Sequence, residues 1–137
     1  MRLSIGTGGS LVWLARGSAA GELFRDLTID GQRLSSVTPL IGAALASVRD
    51  FGNLTHTVGF TVERQHASLE DANLFCFRHA SLLNLASGTI TAVSESAGRE
   101  QALFLKSAVV TRVASQLAGI STTTAYQILC ADITTTL

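Results

Sequence analysis

The side chains best suited to chemistry in this chain are the histidines His56, His66 and His79 and the cysteines Cys76 and Cys130. Cys76 and His79 are three residues apart, the spacing that brings two side chains to one face of a helix, so they could share a metal ion. Zinc takes four ligands, and the second cysteine has no local partner with which to complete a set. A thiol–imidazole nucleophile is the other chemistry these residue types allow, but it needs a partly exposed thiol beside a base. Cys76 falls on an apolar stripe, which assigns it to packing instead. His56 and His66 flank an alternating segment at its two ends, too far apart to act together. The carboxylates are scattered, and Glu70 and Asp71 already have a use at a helix start. The arginines are dispersed as well, which suits solvated faces or salt bridges between subunits. The run Gly6-Thr7-Gly8-Gly9 is followed by neither a lysine nor a helical pattern, so it reads as a turn between strands, not a phosphate loop. The expectation is no catalytic residue, no bound metal and no cofactor.

The elements that would hold these residues are mostly strands. Val58, Phe60 and Val62 alternate with Thr57, Gly59, Thr61 and Glu63, the period of a strand with one face on a core and one toward water. Ser68 is a good N-cap, with Glu70 and Asp71 in the first turn where the helix dipole favours negative charge. Leu69, Ala72, Phe75, Cys76, Ala80 and Leu83 then recur at helical spacing, predicting a helix over residues 68–83 with Phe75 and Cys76 buried. Arg78 and His79 sit near its C-terminal end, where positive charge is tolerated. Residues 89–94 and 102–105 flank a polar loop and suggest a hairpin. Residues 109–115 and 121–130 suggest a last strand pair, with Thr122, Thr124, Tyr126, Ile128 and Cys130 on one face. Near the N-terminus residues 11–15 form a short strand candidate. Asp30-Gly31 predicts a turn, with 33–37 as the return strand. Phe51-Gly52-Asn53 predicts another turn, and residues 133–137 give no signal.

Residues 38–50 read TPLIGAALASVRD, with the single proline of the chain and no charge from Pro39 to Val48. One reading is a short buried helix opened by Pro39, with Leu40, Ala43, Ala44 and Val48 near one face. The other is an arm or loop, spanning 38–53, that docks on a neighbouring subunit through Pro39, Leu40, Ile41, Ala44 and Val48.

Composition narrows the class. The 137 residues suffice for one domain with a real core. Basic and acidic residues balance at ten each, and no basic stripe favours nucleic acid. Charged residues are only 15% and hydrophobic ones 47%, with mean hydropathy +0.37. A charge-poor surface near zero net charge tends to associate, which hints at an obligate oligomer. No apolar run is long enough to span a bilayer, and residues after Arg2 do not form a secretory signal, so a cytosolic origin with two reduced thiols is expected.

The run from His56 through HTVGFTVERQHASLEDANLFCFRHASLLNLASGTITAV, followed by ALFLKSAVVTRVASQLAGISTTTAYQILC, resembles small tail proteins of long-tailed phages and their prophage remnants. The shared pattern is a strand ending in Glu63-Arg64, a helix ending in Arg78-His79-Ala80, a short strand at 87–91, and a closing pair at 119–128. That resemblance implies the tail-tube fold family, including distal-tail domains. The fold it implies is α+β, mainly β, with two packed antiparallel sheets, sandwich or barrel-like, and one flanking helix. It further implies subunits closed into rings, commonly hexameric. The expected function is a non-enzymatic structural subunit of a bacteriophage or prophage-derived tail. Its rings would form by sheet packing between subunits, in contact with other tail proteins. Its place would be the virion, after assembly in the host cytoplasm, with no membrane and no sequence-specific nucleic acid as partner. The alternative is a small cellular β-barrel or sandwich that holds a ligand. Oligomer mass separates the two.

Overall fold

A computed structural model describes residues 1–7, 10–38, 47–96 and 99–136. The class is α+β, mainly β, with a single α-helix among the described residues. The strands are β1 (Arg2–Thr7), β2 (Ser10–Ala15), β3 (Leu23–Thr38), β4 (Ser47–Gln65), β5 (Gly88–Ser96), β6 (Arg99–Ala118), β7 (Ser121–Cys130) and β8 (Asp132–Thr134). Helix α1 (Leu69–His79) lies between β4 and β5 and runs into a 3-10 turn, Ala80–Asn84. All ladders are antiparallel, in the order β2-β1-β5-β6-β7-β4-β3, with β8 on β6.

In place of two separate sheets there is one eight-stranded sheet whose halves meet on β6. The first part of β6 pairs with β5 and β8, and the part from Val109 onward pairs with β7. Ser107 has a left-handed φ of 52° at this changeover. The two halves share one core: Leu3, Ile5, Leu14, Ile90 and Leu105 from one, Val58, Phe60, Val62, Tyr126 and Ile128 from the other. Strict alternation produces the second set. On β7 Thr122, Thr124, Tyr126, Ile128 and Cys130 are all buried, as their spacing predicts. Phe60 stacks between Phe24 and Tyr126 at centroid distances of 5.0 and 4.8 Å.

The helix begins as predicted: the Ser68 hydroxyl accepts from the Asp71 backbone N–H at 3.2 Å. Its inward face differs from the predicted stripe. Ala72, His79 and, in the 3-10 turn, Leu82 are buried; Phe75 and Cys76 are half-buried; Leu69, Ala80 and Leu83 are exposed. Tightening from α to 3-10 after His79 shifts the phase by part of a turn, so the register that favours Leu83 in a continuous helix delivers Leu82 instead. Among the described residues no helix is long and apolar enough to cross a membrane.

Two local turn signals are overridden. Asp30-Gly31 lies inside β3, where Asp30 pairs with Thr57 and Gly31 with His56. Phe51-Gly52-Asn53 lies inside β4. The hairpin predicted from 89–94 and 102–105 is present, with a shorter connection: Glu95 pairs with Glu100 and Ser96 with Arg99, and residues 109–115 are a continuation of β6. At Asp30-Gly31 and at Phe51-Gly52-Asn53 a local turn preference competes with a long ladder, and the ladder supplies more hydrogen bonds and cross-strand pairs than one turn can. The unassigned tail supplies β8.

β3 and β4 thus form one long hairpin, paired from Leu23↔Glu63 to Thr38↔Ser47. β7 supports β4 only from His56 to Gln65, so the outer part of the hairpin is a two-stranded ribbon. A bulge between Arg25 and Thr28, with Asp26 at φ 58°, interrupts the edge strand. At that point a Cβ on Gly59 would meet Thr28 Oγ1 at 2.9 Å, so a larger residue there would force the Thr28 side chain to move. Of the arm or loop expected over 38–53, Thr38 ends β3, residues 47–53 belong to β4, and Val48 pairs with Val37. Pro39, Leu40, Ile41 and Ala44 lie outside the described residues.

Candidate functional site

The polar centre of the molecule lies where α1 faces the ends of β2 and β4. Arg64 occupies the inward position after Val58, Phe60 and Val62 on β4, so strand alternation alone drives an arginine into the core. Only 7% of it is exposed. Its Nε donates to Glu22 Oε1 at 2.9 Å, and its Nη2 donates to the Leu14 carbonyl at 2.5 Å. Glu22 in turn accepts from the Arg16 backbone N–H at 2.6 Å through Oε2. The guanidinium carbon stands 4.8 Å from the Phe75 ring centroid and 5.6 Å from that of Tyr126. One arginine thereby ties the edge strand β2, the start of β3, the strand β4 and the helix together.

The other side of Phe75 completes the cluster. His79 stacks on it at 4.6 Å and His66 tilts against it at 4.9 Å. His79 Nε2 is hydrogen-bonded to the Tyr126 hydroxyl. Burial, reinforced by the nearby Arg64 charge, pushes His79 down to about 3. Burial pushes the Tyr126 phenol up to about 12, with Arg64 opposing part of that rise. The ring is thus neutral and the phenol protonated at neutral pH, and the two share one hydrogen bond whose donor is set by the ring's tautomer. His66 Nε2 lies 2.8 Å from Thr122 Oγ1.

Above the cluster opens a cleft of about 640 Å³, lined by Trp13, Arg16, His66, Leu74, Phe75 and Arg78 among others. Its chemistry is mixed, with aromatic walls and charges of both signs. A general acid or base works best when it titrates near the working pH, and His79 and Tyr126 are both displaced far from neutrality, in opposite directions. What the geometry does well is hold: two ring stacks, a cation over two rings and a buried ion pair lock four elements into one unit.

The sequence-based candidates fall out as follows. Cys76 and His79 share the helix, but His79 is committed to Phe75 and Tyr126, and among the described residues no group of three or more His, Cys, Asp or Glu side chains could hold a metal. Cys76 and Cys130 are free thiols, Cys130 buried within the core, where its environment raises its pKa. His56 sits within β4, opposite Cys130 and Gly31, not at a strand end. Of the interface candidates, only Val48 lies among the described residues. Arg64 and His79 correct the expectation of dispersed, solvated cations and a tolerated terminal histidine: both are buried. The signal for Arg64 was present, since it continues the even-numbered apolar face of β4 from Val58.

No family model matches the chain, and no curated protein matches it.

Proposed function

We propose that the chain is a non-enzymatic structural subunit of a bacteriophage or prophage-derived tail, closing into rings, commonly hexameric in such particles, through sheet packing between subunits. The observation that carries this reading is the pair of unequal sheet edges. β2 ends the sheet at one side and β3 at the other. β3 is sixteen residues long and leaves Leu23, Leu27 and Ile29 exposed, Leu23 at 56% and Ile29 at 53%. A long edge strand with exposed apolar side chains is an aggregation hazard for a monomer and a ready contact for an ordered assembly. Two different edges on one chain suit a head-to-tail contact, which closes into a ring when the rotation allows. The cluster under α1 supports a structural part over a catalytic one, because it spends its histidine and tyrosine on an internal bond. In this reading the partners are copies of the chain and other tail proteins, and the location is the virion, after assembly in the host cytoplasm.

One observation favours a second reading, a ligand-holding barrel or sandwich module: the cleft beside Trp13 and Phe75. Light scattering coupled to size exclusion, followed by negative-stain microscopy, separates the two. The tail reading expects rings or stacked rings. A stable monomer that retains a small molecule in the cleft overturns it.

A further inference from the structure

Between β2 and β4 no ladder forms among the described residues; side chains bridge the two strands instead. Arg64 on β4 donates to the Leu14 carbonyl of β2, and Glu22, just before β3, accepts from the Arg16 backbone N–H. The cleft of about 640 Å³ lies along this seam, with residues of α1 on its other side. That volume is within the range of small-molecule sites. Of its apolar lining, Trp13 and Phe75 are half-buried and Leu74 is exposed, so a ligand reaches these side chains without unfolding any element.

The charges lining the cleft do not cancel. Three arginines, Arg16, Arg64 and Arg78, stand against two carboxylates, Glu22 and Asp71. Glu22 is committed to Arg64. Arg16 and Arg78 are exposed, and neither makes an ion pair among the described residues. Asp71 precedes Arg78 by two helical turns, about 10 Å along the axis, and does not pair with it. The Arg64 charge also reaches past its partner. It lowers His79, and at Tyr126 its pull outweighs the opposing push of Glu22. Its Nη1 has no hydrogen-bond partner, so Glu22 and the Leu14 carbonyl leave the guanidinium incompletely satisfied. The cleft is therefore a partly aromatic space with surplus positive charge.

We propose that this cleft binds a small organic carboxylate with a flat apolar body, the carboxylate held by Arg16 and Arg78 and the body laid against Trp13, Leu74 and Phe75. A guanidinium matches a carboxylate two donors to two acceptors, and each such bond is charge-assisted. One surplus positive charge suits a singly charged anion better than a phosphate dianion. Aromatic walls suit a flat body, because ring stacking adds to the gain from apolar burial. The inference names the ligand class of the cleft and stands apart from the assembly reading, since a ring subunit and a monomeric module can both hold a ligand there.

The test titrates the full chain with para-trifluoromethylbenzoate and, separately, with the uncharged para-trifluoromethylbenzyl alcohol. Fluorine NMR follows the probe, and the emission of Trp13, the single tryptophan of the chain, reports occupancy of the cleft itself. The expected result is saturable binding of the carboxylate that changes Trp13 emission, with the alcohol several-fold weaker. Arg16→Gln combined with Arg78→Gln should weaken the carboxylate about tenfold and leave the alcohol unchanged. Both positions are exposed, so folding should persist, which circular dichroism and a thermal melt verify. Arg112→Gln, an exposed arginine outside the cleft, should bind like the wild type. No saturable binding, equal binding of acid and alcohol, or an equal loss in Arg112→Gln overturns the inference. Displacement by equimolar inorganic phosphate also overturns it, because the cleft would then take a bare anion. Light scattering on the same samples keeps the two readings apart. Rings that fail to bind the probe overturn the cleft inference alone, and a monomer that binds it overturns the tail reading alone.

Discussion

Strand β4 is a different object at its two ends. From His56 to Gln65 it lies between β3 and β7, and its inward residues are buried under the opposite half of the sheet and the helix. From Ser47 to Leu54 its ladder is to β3 alone. The edge strand shows the same contrast across its width: Leu27 and Ile29 are as aliphatic as Val58 and Val62, yet the first pair is exposed and the second buried. Residue type set the potential for burial in both places, and neighbours decided whether it was realised. The inner end of the hairpin is where the molecule gains its stability. The edge leaves Leu23, Leu27 and Ile29 available for contact.

That contrast can be broken most severely at Arg64. Arg64→Met should destabilise the protein by about 3–5 kcal/mol, because it strands the Glu22 carboxylate and the Leu14 carbonyl in a buried site. Adding Glu22→Gln should recover part of that loss. Urea unfolding measures both, and a loss near zero would mean that the inner end is not held by this cluster. Phe75→Ala should cost about 3 kcal/mol, the lower end for a phenylalanine, since the ring is only half-buried but carries Arg64, His66 and His79. Equilibrium unfolding checks this value too, and the exposed Phe77→Ala is the matched control.

A smaller effect depends on pH. His79 titrates near 6.5 in the unfolded chain and at about 3 in the folded one. Between those values the unfolded state binds a proton that the folded state refuses. The contribution of the neutral ring is therefore complete above pH 6.5 and is lost as pH falls toward 3. The slope approaches about 1.4 kcal/mol per pH unit. Unfolding series at pH 7.5, 6 and 5 should show this decline, and His79→Gln should flatten it. An unchanged slope in the variant would assign the pH dependence elsewhere. Smallest of all, Ile29→Thr on the edge strand should change monomer stability by less than about 0.5 kcal/mol while altering association. A large loss of stability would show that the edge belongs to the core after all.

What the sequence disclosed follows the same division. The alternation through Val58, Phe60 and Val62, the Ser68 cap and the buried face of β7 are all local patterns, and the structure contains each of them. Turn dipeptides misled because a pairing partner distant in sequence outweighed them, as at Asp30-Gly31. The polar cluster was harder to read. Its members Glu22, Arg64, His79 and Tyr126 are separated by up to about a hundred positions and meet only once the ladders set their depth. Arg64 continues an apolar face, but no single position announces that a charge there will find Glu22. His79 reads as a favourable helix-terminal cation until the Tyr126 hydroxyl is seen to claim it.

The place of β7 in the sheet has a consequence for how the chain comes into being. β7 sits between β4 and β6, yet it is made after both. During synthesis the β3–β4 hairpin can close early, but the inner edge of β4 has no partner until residues 121–130 have left the ribosome. Until then Val58, Phe60 and Val62 have no Tyr126 or Ile128 to pack beside, and Arg64 lacks one of its two rings. Every nascent copy therefore passes through a stage with an open hydrophobic edge, in which pairing with the wrong chain competes with waiting for the right strand. β7, the second-last strand to emerge, is the one that ends that vulnerability.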